Sequence, residues 1–84
     1  MATTRTEHEF SVYWWDAQGE HHEELRFVGP EQALKAVKRL TTGPGAQVGI
    51  VKRVIITDGG DFCNYEWKEG RITYDGREHM GDGE

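Results

Sequence analysis

The chain has one cysteine, Cys63, and two prolines, Pro30 and Pro44, among its 84 residues. A lone thiol closes no intramolecular disulfide and supplies no four-thiolate zinc site, which excludes a stapled secreted mini-protein. Long apolar runs are missing as well, since none exceeds the four residues from Val12 to Trp15. Nothing here spans a bilayer or forms a signal-peptide core, so no membrane partner is expected and the expected compartment is the cytoplasm. Cations are in the minority: 10 Lys and Arg against 15 Asp and Glu give a net charge of −5. They are spread from Arg5 to Arg77, and only Lys35, Lys38, Arg39, Lys52 and Arg53 come close together. A solvated helix face carries as much, whereas binding to nucleic acid through phosphates needs a concentrated basic patch. No nucleic-acid partner is expected.

What is present is a small domain between two polar ends. Residues 1–7 hold three Thr and no apolar periodicity, and residues 76–84 are Gly-rich and acidic. Both read as poorly ordered tails around one domain over residues 8–75, a size at which a core is marginal. Within it, Phe10, Val12 and Trp14 alternate with Tyr13 and Trp15, the period of a strand. Asp16-Ala17-Gln18-Gly19 carries turn chemistry, and a second strand through His22 to Val28, with Leu25 and Phe27 on one face, completes a hairpin. Gly29-Pro30-Glu31 opens a helix: Pro at its first position wastes no amide proton, and Glu31 meets the positive end of the dipole. Ala33, Leu34, Val37 and Leu40 make its apolar stripe, and Gly43-Pro44-Gly45 stops it. Residues 46–50 fit a loop, a helical turn or an early strand equally well. Val51–Thr57 is a strand, Asp58-Gly59-Gly60-Asp61 a turn, and Cys63, Tyr65 and Trp67 alternate along the next strand. Glu69-Gly70 then turns the chain into a last strand in which Ile72 and Tyr74 face together.

The expected architecture is a two-layer α+β domain of order β-β-α-β-β-β, one helix packed on a mainly antiparallel sheet. A single three-turn helix covers about two or three strands, not five. With Phe10, Trp14, Phe27, Tyr65 and Trp67 filling the helix side, Tyr13, Trp15, Ile55 and Phe62 fall on the opposite face. An aromatic patch of that kind marks a protein partner surface or a homodimer interface.

Candidate chemistry is sparse. His8, His21, His22 and His79 invite a metal reading, helped by Glu20, Glu23 and Glu24. Zinc needs three or four converging ligands, and adjacent strand residues such as His21 and His22 point to opposite faces. His8 opposite that pair in the hairpin is the one geometry that would give a metal or small-ligand site. The Asp58–Asp61 turn lacks the further carboxylates of a calcium loop and the Lys and Ser or Thr of a phosphate loop. Cys63, between Asp61 and Glu66, reads as a small buried hydrophobe rather than a thiolate nucleophile. No catalytic constellation, no cofactor motif and no metal set stands out, so a non-enzymatic function is expected. Stacking of bases on the aromatics would need Lys and Arg beside the rings, and the neighbours Glu9, Glu23, Glu24 and Glu66 are acidic.

The run Arg53-Val54-Ile55-Ile56-Thr57-Asp58-Gly59-Gly60-Asp61, continuing to Tyr65-Glu66-Trp67, resembles a segment of small uncharacterised proteins of bacteria and their phages. The helix pattern Pro30-Glu31-Gln32-Ala33-Leu34 fits the same group, and the likeness covers roughly half the chain. That group has no assigned activity, so the resemblance implies no catalytic or binding residue. It implies an accessory protein, and the expected function is protein binding or self-association through the aromatic sheet face.

Overall fold

The aromatic run that follows Glu9 forms strand β1 (Phe10–Asp16), and the chain returns as β2 (His21–Val28). Asp16 builds the turn between them. Its Oδ1 accepts the amide protons of Gln18 and Glu20 at 2.9 and 3.0 Å, while Gly19 supplies the left-handed step at φ +87°. Helix α1 (Pro30–Thr42) comes next, then a single short turn of helix, α2 (Pro44–Gln47), and strands β3 (Val51–Thr57), β4 (Cys63–Lys68) and β5 (Arg71–Asp75). The structure, a computed structural model, describes residues 9–59 and 63–76. Among the described residues no helix is long and apolar enough to cross a membrane.

The five strands form one antiparallel sheet in the order β2-β1-β3-β4-β5. Helix α1 carries the chain from β2 across β1 to β3 and packs against those three strands. The domain is therefore α+β in two layers, with the expected order β-β-α-β-β-β. The stretch left open at residues 46–50 holds the end of α2 and a turn in which Gly49 takes φ +86°.

Local chemistry sets the bounds of α1. The Gln32 side chain reaches back to accept the Gly29 N–H at 3.3 Å, satisfying a donor that the first turn leaves orphaned. At the other end Thr41 and Thr42 donate their hydroxyls to the carbonyls of Val37 and Lys38 at 2.9 and 2.6 Å. Gly43 then lets the chain turn close against the helix, since a Cβ there would lie 2.7 Å from the Arg39 carbonyl oxygen.

The core lies between α1 and the sheet. Ala33, Ala36 and Val37 meet Phe10 and Val12 of β1, Val54 and Ile56 of β3, and Tyr65 and Trp67 of β4, all buried. Small helix residues let the backbone approach closely, and the sheet supplies the bulk. Trp14, Leu25 and Val28 pack at the margin. Phe27 does not join them, contrary to the alternation of the sequence. Phe10 pairs with Val28 and Val12 with Leu25, so Arg26 and Phe27 together oppose Ser11 in a β-bulge. Phe27 sits there at φ +55°, its N–H bonded to the Ser11 hydroxyl and its side chain 59% exposed beneath the Arg26 guanidinium. A second shift, between Val12 and Tyr13, gives β2 another extra residue and frees Glu24 to pair with Arg39 of α1 at 2.9 Å.

Two other expectations of facing are corrected. Ile72 pairs with Trp67 but Tyr74 pairs with Glu66, so a bulge at Thr73 puts Ile72 on the helix side and Tyr74 on the other. Cys63 is exposed rather than buried, because the pairing shifts between Ile56–Tyr65 and Thr57–Cys63. Gly76, just after β5, is buried and donates its N–H to the Asn64 carbonyl at 2.9 Å.

Candidate functional site on the open face of the sheet

Residues directly opposite in an antiparallel pair share a face, so the register places the outward side chains. Tyr13 lies between Glu23 and Ile55, and Ile55 in turn opposes Glu66. Trp15 lies between His21 and Arg53. Tyr13, Trp15 and Ile55 thus share the face away from α1, and all three are half-buried. Phe62, the fourth residue expected in this patch, lies outside the described residues, as do His8, His79, Gly60, Asp61, the expected tail over residues 1–7 and all but Gly76 of the expected tail over residues 76–84.

The face is held by a line of side-chain contacts that crosses the sheet. The His21 and Trp15 rings tilt against each other at 5.9 Å, and the Arg53 guanidinium lies over the Trp15 ring, 4.4 Å from its centroid. Arg53 Nε donates to Glu66 Oε2 at 2.5 Å, and Glu66 Oε1 accepts the Thr73 hydroxyl at 2.9 Å. One residue from each of the five strands takes part. Partial burial pushes the Glu66 carboxyl up, but the bonds from Arg53 and Thr73 and the charges of Arg53 and Lys68 outweigh it, leaving it below the usual glutamate range. Glu66 is held as a carboxylate between Arg53 and Thr73. Arg53 is thus matched, while Lys68 opposite it and Arg71 opposite Lys68 bring two further cations to the same face.

The histidine end of the hairpin is organised differently. His22 stacks on Trp14 with centroids 4.4 Å apart, and its Nε2 donates to Asp16 Oδ2 at 2.8 Å. His21 turns to Trp15 on the other face. The two imidazoles are thus not brought together, and among the described residues no three His, Cys, Asp or Glu side chains cluster as a metal site would need.

Alternation along β3 puts Arg53 on the Ile55 face, but it misses Tyr74 and the contacts that Arg53 makes. Tyr74, 47% exposed, reaches that face because of the β5 bulge. Arg53 becomes its centre because β3 lies between β1 and β4, bringing Trp15 and Glu66 to opposite sides of one guanidinium.

No protein-family model, curated protein or solved structure matches this chain. What the site can do is argued from its geometry.

Proposed function

We propose that this protein is a non-enzymatic protein-binding domain whose contact surface is the open sheet face around Tyr13, Trp15 and Ile55. The supporting observation is a half-buried aromatic and aliphatic patch whose central charges are paired within it, through the Trp15–Arg53–Glu66–Thr73 line. Docking a protein at that centre keeps Arg53 and Glu66 matched, and the patch's tyrosine, tryptophan and arginine are the residue types that dominate interface energetics. The same pairing weighs against nucleic acid: with Arg53 spent on Glu66, this face keeps Lys68 and Arg71 beside Glu23, short of a concentrated basic patch. The partner is another protein or a second copy of this chain. A cytoplasmic setting suits the exposed free thiol of Cys63, which an oxidising compartment would draw into mixed disulfides.

A photo-crosslinking residue at position 13 tests this, with one at Lys35 on the solvent side of α1 as the reference and solution mass measured in parallel. Position 13 is expected to give a discrete crosslinked species that Trp15→Ala weakens and Ile55→Asp abolishes, with far-UV circular dichroism unchanged. A doubled solution mass that falls with Ile55→Asp identifies the partner as a second copy. Crosslinking from position 13 no different from that at position 35 overturns the proposal.

A further inference from the structure

Helix α1 packs on β1, β2 and β3 and leaves a groove on the helix side of the sheet, with a volume of ≈ 600 Å³. Leu34, Val37 and Lys38 of α1 form one wall, Tyr65 and Trp67 the floor, and Ile72 of β5, 45% exposed, the other wall. Trp67 and Gly70 continue it into a second hollow, lined by Val48 and Lys52 after α2. This surface faces away from the proposed binding face, and nothing about it depends on that proposal.

The dimensions say what fits. Packed helices lie about 8–10 Å apart, and neighbouring strands about 4.8 Å apart. A helix beside α1, which is centred over β1, would therefore sit two strands away, over β4, between the Leu34–Val37 wall and Ile72. Charge says what its flank beside α1 carries. Lys38 is the one charged residue among the described residues lining the main groove, and it has no ion pair among them, whereas the second hollow holds Lys52 and Glu69, whose charges offset. Among its described residues a second copy has no helix to offer, since the apolar stripe of its α1 is buried on its own sheet and α2 spans four residues. We infer that the groove takes one amphipathic α-helix of another protein, with acidic residues flanking its apolar stripe where it meets Lys38.

The test uses the full chain and two synthetic helical peptides of about 16 residues, long enough to populate a helix. Both carry leucine at i, i+3, i+4 and i+7, one with glutamate flanks and the other with lysine flanks. The glutamate peptide is expected to move the backbone amide resonances of Val37, Lys38, Trp67 and Ile72 and to leave those of Tyr13 and Trp15 in place. Ile72→Asp is expected to weaken it about tenfold. Lys38→Glu, at an exposed position that folding does not depend on, is expected to reverse the preference toward the lysine peptide. Equal binding of the two peptides, shifts confined to the open face, or a peptide bound as an added strand along β5 overturns the inference. So does movement of the groove resonances on deletion of residues 77–84, which would make the occupant this chain's own end.

Discussion

Asp16 ties three neighbours with one carboxylate. Oδ1 accepts the amides of Gln18 and Glu20, and Oδ2 accepts from His22, whose ring stacks on Trp14. The hydrogen bond from His22, followed by that from the Glu20 amide, holds the Asp16 carboxyl below the usual aspartate range, against a smaller opposing effect of burial. The sign of the consequence follows. A carboxyl whose folded value is depressed adds stability that is fully present above its unfolded value, about 3.9, and is lost as pH falls through the lower folded value. Urea unfolding of the wild type and Asp16→Asn should therefore show the wild type more stable at neutral pH. The gap should narrow as the pH falls below about 4. A gap that stays constant down to pH about 2 would show that the charge of Asp16 contributes nothing beyond its turn geometry.

At the scale of elements, the bulged strands and the hairpin turns decide where side chains end up. Helix α1 was legible because its signals are local: Pro30 at the first turn, an apolar stripe at helical spacing, and Gly43 at the stop. The alternation along β1, β3 and β4 from Tyr65 onward was legible for the same reason, and it put Tyr13, Trp15 and Ile55 on one face. At Cys63, where the β3–β4 pairing shifts, and on β2 and β5, the two edges of the described sheet, it misled. There the bulges around Phe27 and Thr73 depend on how the neighbouring strand pairs, and no period within the strand records an inserted residue. The Arg53–Glu66 anchor was hidden in a similar way, since it needs the strand order as well as the register. The β4–β5 turn shows the opposite case, a local feature at odds with its sequence. Glu69 and Gly70 both take positive φ, +50° and +93°, the pattern of a type I′ turn, whose first position favours Asn over Glu. The Glu69 amide bonds the Lys52 carbonyl at 2.9 Å, so the backbone conformation is held from outside the hairpin. Glu69→Asn keeps that bond and relieves the left-handed strain, so it should raise stability by about 0.5–1 kcal/mol in denaturant unfolding. An unchanged midpoint would show that the sheet, not the turn residue, bears the cost.

For the whole molecule, one helix on five strands makes the layers unequal, and stability should follow that inequality. β1 and β3 have a strand on each side and α1 above them, and Phe10, Val12, Val54 and Ile56 are almost wholly shielded from solvent. β5 has a neighbour on one side only, every one of its residues is exposed, and the groove lies on its inner face. Buried apolar area is what opposes chain entropy, at about 25 cal/mol per Å², so the two ends of this sheet differ in what holds them closed. Native-state hydrogen exchange should then grade across the sheet. The amides of β1 and β3 that bond neighbouring strands should open only with global unfolding, while those joining β5 to β4 open locally at lower free energy. Ile56→Ala, a cavity at the centre of the core, should lower stability by about 2–5 kcal/mol and accelerate the β1 and β3 amides in step. It should leave the β5 amides nearly unchanged, because their opening does not pass through the core. If β5 were instead protected as strongly as β3, and were lost together with it in Ile56→Ala, the groove side of the sheet would be part of one cooperative unit. A surface that is firmly closed in the isolated chain would have no need of a helix to cover it.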